Sequence, residues 1–290
     1  MNKRSNLPVR PTWCWRRWIV SGQEDLWIER LQSHADINWV MTEKPGCVRI
    51  LLEAYARKPA AVTALAHTFG GKVRRVQAAE WVGTQTAAPT RIGTHLEIIH
   101  APTRTRQPTT HRLCIPHGVA FGSGDHATTH MLLGALFKHG DWSHTSVLDL
   151  GTGSGVLALA ARLLGAHKIV ATDFDPEAVR TARQNETLNF STPLIRWQCA
   201  DVKKLRSPAR HDLVLANLFS GILGEAAPQI AGSVAIGGQL WLSGILRTQE
   251  QEVTAAYRAQ KLTLTRALHR GKWVMLQWQK KLKSRRAIST

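Results

Sequence analysis

The sequence lacks every paired-cysteine signature. Cys14, Cys47, Cys114 and Cys199 stand far apart, with no C-x-x-C among them. This excludes a zinc knuckle or a dithiol redox motif and leaves free thiols suited to a reducing cytoplasm. Long apolar runs are also missing. The longest, around Val156 to Ala166, is broken by Arg162 and is too short to cross a bilayer, so no membrane helix is expected. The N-terminal stretch is basic, holds Pro8 and Pro11 and has no apolar core of signal-peptide length, which argues against export. No G-x-x-x-x-G-K-[ST] occurs, which excludes a phosphate-loop nucleotide hydrolase. Acidic residues are scarce: 20 Asp and Glu face 38 Lys and Arg, a formal net charge of +18.

The excess of positive charge lies in the flanks. Up to Arg112 there are 17 Lys and Arg against 8 Asp and Glu; from Leu113 to Gly271, 15 against 12; from Lys272 onward, 6 against none. Basic flanks suit contact with nucleic acid or a ribonucleoprotein surface, although charge alone defines no site and solvated surface accounts for it equally well. With 290 residues, 43% of them hydrophobic, the chain is long enough for two packed domains.

Residues 1–12 read as a disordered basic tail. Between residues 13 and 80 the pattern is β-α-β-β-α-β: "RRWIV", the helix "GQEDLWIERLQS", two strands around Lys44-Pro45-Gly46, the helix "KPAAVTALAHTFGG" and "KVRRVQ". This predicts a small ferredoxin-like α+β domain. Residues 81–112, rich in Thr, Pro, Gly and Arg with one strand-like stretch at "HLEIIHA", read as a linker. From 113 to 280 strands alternate with helices, which predicts a mostly parallel sheet covered on both faces. "GKWVMLQWQ" is expected as its last, antiparallel strand, and 281–290 as a basic tail.

"LDLGTGSG" follows the first of these strands. Its glycines, Gly151, Gly153 and Gly155, free the backbone for a tight turn, but Val156 stands where a dinucleotide fingerprint needs its last glycine. Asp149 precedes the turn. A carboxylate there repels a pyrophosphate and suits a cofactor carrying an ammonium group, such as S-adenosyl-L-methionine. Asp173, 22 residues after Gly151, ends the second strand, where an acid accepts ribose hydroxyls. Asp175 is its rival, yet it precedes Pro176 and suits a helix cap. These spacings favour a class I methyltransferase over other doubly wound folds.

"AFGSGDHATTHMLLGAL" places a glycine turn before a helix whose first amides and hydroxyls face a ligand or simply cap the helix. His126 and His130 have zinc-like spacing, but no third ligand is evident, so no metal is expected. "DLVLANLFSGIL" ends an apolar strand at Asn217, a polar amide at the mouth of the crevice or an ordinary strand-ending turn residue. Phe121, Gly122 and Thr128, with Asp149 and Gly153, complete the candidate cofactor-binding set. No feature nominates a general base; Asn217 and Phe219, at the end of that strand, are the candidates to orient the methyl acceptor and to shape its channel.

"FGSGDHATTH", "LDLGTGSG", "TDFDPEAV", "ANLFSGIL" and "LSGILRTQ" together resemble the PrmA family, the methyltransferases of ribosomal protein L11. The likeness covers about residues 13 to 280. It implies a Rossmann-like class I methyltransferase domain of seven strands behind a substrate-recognition domain, with Thr129, Gly151, Asp173 and Asn217 contacting S-adenosyl-L-methionine. It also implies methylation of lysine side chains and the N-terminal amine of that ribosomal protein by a cytoplasmic monomer. Thr152 replaces the family's usual Cys, Phe219-Ser220 stand where Leu-Ala is common, and the positive charge, carried on flanks that suit contact with ribosomal RNA, departs from acidic relatives. The competing readings are a ribosomal RNA methyltransferase and a non-catalytic assembly factor on the same fold. Against the first, the N-terminal domain shows no R-G-F-x-F-like aromatic motif.

Overall fold

The computed structural model describes residues 12–20, 22–23, 26–27, 30–31, 34, 37–43, 48–56, 58–76, 89–100, 112–116, 122, 124–205 and 209–281. The expectations for residues 1–11, for the Lys44-Pro45-Gly46 turn, for 77–80 of the first domain, for 81–88 and 101–111 of the linker, for Phe121 and for 282–290 lie outside this set. The chain divides into two units, residues 1–85 and 86–290.

The first unit contains β1 (Thr12–Val20), β2 (Asn38–Glu43), β3 (Arg49–Ala56), α1 (Pro59–Phe69) and β4 (Lys72–Val76). Residues 26–27 and 30–31 are also helical. The sheet runs β2-β3-β1-β4, with every pair antiparallel. Alternation along β3 buries Ile50, Leu52, Ala54 and Ala56 on one face, as a half-covered strand requires. Trp15, Trp27, Leu31, Val62 and Leu65 complete that core.

In the second unit, α2 (Ala127–His139), β8 (Ser146–Leu150), α3 (Val156–Leu163), β9 (Lys168–Asp173), α4 (Pro176–Asn189), β10 (Arg196–Cys199) and β11 (His211–Asn217) alternate. They are followed by α5 (Ser220–Glu225), α6 (Ala227–Gly232), β12 (Val234–Leu246), α7 (Glu250–Ala259), β13 (Leu262–Arg270) and β14 (Trp273–Lys280). The large sheet has seven strands in the order β10-β9-β8-β11-β12-β14-β13. The first five of these are parallel, and β14 runs antiparallel to both β12 and β13. The last, antiparallel strand expected from "GKWVMLQWQ" is present as β14, inserted between β12 and β13. The sheet ends on that side at β13, whose mixed polar sequence gives no clear period.

The mainly parallel sheet predicted from the alternation is present, and its strands are apolar because both faces are covered. Residues of α2, α3 and α4 pack on one face, and residues of α5, α6 and α7 on the other. Helix α3, the longest apolar run of the sequence, is buried from Val156 to Ala161. Helix α4 begins where the sequence signals it: the Asp175 carboxylate accepts from the Glu177 amide, and Pro176 needs no amide partner.

The stretch read as a linker contains the strand expected at "HLEIIHA" and more than that strand. β5 (Thr90–Ile92) and β6 (Leu96–Ile99) pair, and β7 (Arg112–Cys114) joins them in a second, three-stranded sheet. Ile92, Leu96, Ile98 and Leu113 enter the same core as α2 and α3. Burial of alternate apolar side chains outweighs the loop-like composition of the surrounding residues. Asn189 ties this sheet to α4, accepting from the Cys114 amide at 2.7 Å and donating to its carbonyl at 2.8 Å.

Candidate active site

Strand order reverses at β8: the chain goes to β9 on one side, and β11 lies on the other. In an open α/β sheet, the crevice at the carboxyl ends of such strands is where ligands bind. The glycine turn after β8 lies at that crevice. Gly151, Gly153 and Gly155 have φ of 70°, 54° and 84°, values that side chains with a Cβ rarely adopt. The Gly151 and Thr152 amides both donate to the Thr172 carbonyl at 2.9 Å, and the Gly153 amide donates to Asp173 Oδ2 at 2.9 Å.

Two glycines are also required by close contact. A Cβ on Gly155 would lie 2.9 Å from both the Ala182 Cβ and the Trp197 ring, so this glycine lets α3 pack against its neighbours. A Cβ on Gly151 would lie 2.3 Å from Leu218 Cδ2. The far side of Leu218 is closed by Gly244 in β12, whose added Cβ would lie 2.3 Å from the Leu218 carbonyl oxygen. Leu218 is thus clamped between two glycines, which fixes the segment between Asn217 and Phe219. Gly244 was not among the expected site residues. Its signal was available, since an isolated glycine inside an apolar strand marks close backbone approach.

We expect Gly244→Ala to lower stability by about 1–3 kcal/mol through backbone strain and overpacking. It should also weaken cofactor binding about tenfold, a change equivalent to about 1.4 kcal/mol. Thermal melting and calorimetric titration with S-adenosylmethionine check the two effects.

Thr129 and Asn217, separated by 88 residues in sequence, meet: Asn217 Nδ2 donates to Thr129 Oγ1 at 3.1 Å. Thr129 is buried in the first turn of α2, and Asn217 ends β11 half-buried. Thr128 is beside it, but its hydroxyl and amide are both directed at Nδ1 of His126, the helix cap. Burial and the nearby Lys272 push the His126 imidazole down to about 4, so it is neutral and able to accept. His126 also packs edge-on against Trp273, while the His130 ring donates to the Arg91 carbonyl. Among the described residues no group of three metal-type ligands occurs. Gly122 is joined to the glycine turn through its carbonyl, which accepts from Ser154 Oγ at 2.6 Å; Ser154 is another residue that the sequence analysis missed. Phe219 is exposed at the start of α5.

Asp149 differs from the picture of a carboxylate facing an open crevice. It is fully buried beneath the turn, where its Oδ2 accepts from Thr152 Oγ1 at 2.6 Å. Only that oxygen forms a hydrogen bond of normal geometry. Burial pushes its carboxyl up to about 7, against the opposing effects of the Thr152 hydroxyl and the Ala158 amide. Burial likewise raises Asp173, opposed by the amides of Asp175 and Gly153.

A carboxyl whose folded value exceeds its unfolded one keeps a proton that the unfolded chain releases. For Asp149, stability therefore falls as pH rises from about 4 to about 7 in the cofactor-free protein. Asp149→Asn should remove much of this slope, up to about 1.4 kcal/mol per pH unit. Urea denaturation at several pH values checks it, and an unchanged slope would assign the effect to other groups.

The residues present fit S-adenosylmethionine: a cradle without Cβ atoms, the Asp173 carboxyl at the end of β9 beside the turn, and polar groups converging from β11 and α2. The profile of the family described as "Ribosomal protein L11 methyltransferase (PrmA)" matches residues 29–281. The chain belongs to this family. PrmA membership makes it an S-adenosylmethionine-dependent methyltransferase.

One relative, a ribosomal protein L11 methyltransferase from Pelobacter propionicus, is 37% identical over 217 residues, which cover 72% of this chain and 69% of the relative. Another of the same description, from Geobacter metallireducens, is 41% identical over 199 residues, covering 67% of this chain and 64% of the relative. The alignments thus span about two thirds of these PrmA relatives' length. The crystal structure of a ribosomal protein L11 methylase from Lactobacillus delbrueckii subsp. bulgaricus has a TM-score of 0.59 at 27% identity. It covers 68% of this chain and all of that one.

Proposed function

We propose that this protein methylates amino groups of ribosomal protein L11, both lysine side chains and the N-terminal amine, acting as a cytoplasmic monomer. The observation that carries the site assignment is the Asn217–Thr129 hydrogen bond beside the glycine turn. When bound, S-adenosylmethionine supplies an electrophilic methyl group on a sulfonium centre. Gly151, Gly153, Asp173 and Thr129 are the residues we assign to holding it; Gly122, Thr128 and Asp149 support the turn and the helix start around it. Phe121 completes the set on sequence grounds alone.

A lysine amine is mostly protonated in water, with an ordinary pKa of about 10.4, and attacks only after losing its proton. A desolvated crevice favours the neutral amine. With Nδ2 engaged by Thr129, the Asn217 carbonyl oxygen is the acceptor left to orient that amine, and Phe219 borders its path. Residues 13–80, which we read as ferredoxin-like, are assigned to recognition of the protein substrate, and 113–280, with the small sheet, to catalysis.

The test incubates the full chain and S-adenosylmethionine with purified ribosomal protein L11, with whole large subunits and with naked ribosomal RNA, reading intact masses. Successive methyl increments on the protein support the proposal and count the sites. Increments on RNA alone overturn it.

A further inference from the structure

We infer that the groove between α2 and strand β13 binds the phosphate backbone of single-stranded RNA. The groove begins at His130, one residue beyond Thr129, and follows α2 to Lys138 and His139. The nine helical steps from His130 to His139 rise about 14 Å, enough for a short extended strand. Its other wall is β13. Arg266 and Arg270 lie on the same side of that strand, an even number of residues apart, and both are exposed. Register places Arg266 opposite Gln277 of β14, and Gln277 opposite Trp241 of β12. A cation, an amide and an indole thus form one row across the sheet.

The charge in this groove is unneutralised. Among the described residues Lys138, Arg266 and Arg270 form no ion pair, and no carboxylate lines the groove. Glu250, the acid paired with a lining residue, is engaged by His269 at 2.8 Å. Within a chain of net charge +18, such a surface attracts polyanions.

Flat groups distinguish RNA from an acidic peptide. The exposed His139 ring stacks on the buried Trp142 at 4.0 Å and 24°, and Trp142 meets the buried Trp241 edge to face at 5.5 Å. The indoles hold the His139 imidazole in place, so that its free face suits stacking on a base, and the Gln277 amide on the groove wall suits a base edge. This surface is separate from the basic flanks noted in the sequence.

The test measures fluorescence anisotropy of a labelled oligouridylate with the full chain, without S-adenosylmethionine, across salt concentrations. The variant carries Lys138→Gln, Arg266→Gln and Arg270→Gln. All three side chains are exposed, and thermal melting confirms that the variant is folded. The expected result is binding about tenfold or more weaker at 0.1 M salt, with the logarithmic salt slope reduced by about 2, the release expected for three phosphate contacts on a single strand. Methylation of free ribosomal protein by the variant is expected to be unchanged, so this result stands apart from the proposed function. Absence of RNA binding by the unaltered chain, equal binding by the variant, or displacement of the RNA by polyglutamate as readily as by unlabelled RNA would each overturn the inference.

Discussion

Replacing Asn217 with alanine lowers kcat for methyl transfer about 100-fold, the loss expected when a reacting group is displaced by about 1 Å. The side chain ends β11 at the point where strand order reverses, and its amide donates to Thr129 Oγ1 at 3.1 Å. Alanine removes both the acceptor for the incoming amine and the donor that anchors α2 to the sheet. Because Asn217 is only half-buried, the melting temperature should change little.

Thr129→Val keeps the volume of Thr129 and removes the hydroxyl, freeing the Asn217 carboxamide to rotate. It should therefore cost part of the same rate, and the double variant should cost less than the product of the two single effects. Single-turnover kinetics with saturating cofactor measure this. Full turnover by Asn217→Ala with normal cofactor affinity would remove Asn217 from the mechanism.

Glu186→Ala is the substitution expected to cost most stability. The carboxylate is buried in α4 and accepts from four sources: the Arg162 guanidinium, the Leu194 and Ile195 amides at 2.9 and 3.0 Å, and Trp197 Nε1 at 2.8 Å. Arg162 is itself only 10% exposed and stacks 3.9 Å over the Phe190 ring. Alanine leaves that cation buried without its counter-charge and orphans the other donors, at a cost of about 3–5 kcal/mol. For a unit of this size, that lowers the melting temperature by about 10 °C. Trp197 also packs against the Gly155 position, so loosening it disturbs the turn from below and cofactor affinity should fall as well. Melting curves with and without S-adenosylmethionine check both effects. A shift of less than about 1 kcal/mol would show that water replaces the carboxylate at little cost.

Local features were legible in the sequence because short-range chemistry encodes them. Asp175 and Pro176 start α4 where capping and a fixed φ require it, and the apolar runs of β8, β9 and β11 identify strands covered on both faces. The glycine turn and Asp173 followed from spacing alone. Asn217 at a strand end and Thr129 at a helix start were visible as polar positions, and the resemblance joined them as cofactor contacts, which nothing local does.

Tertiary structure decided which distant groups meet. It brought Thr129 to Asn217, placed β14 inside the sheet, and drew β5 and β6 out of an apparent linker into the core. It also buried Asp149 beneath the turn it was expected to serve openly, and made Gly244 the clamp behind Leu218. The physical reason is one of range. Capping, turns and hydrophobic period depend on neighbours within a few residues, and the sequence by itself determines them. Desolvation of a carboxyl and the close approach of two backbones depend on whichever segments the sheet order stacks together, and only the folded chain fixes that.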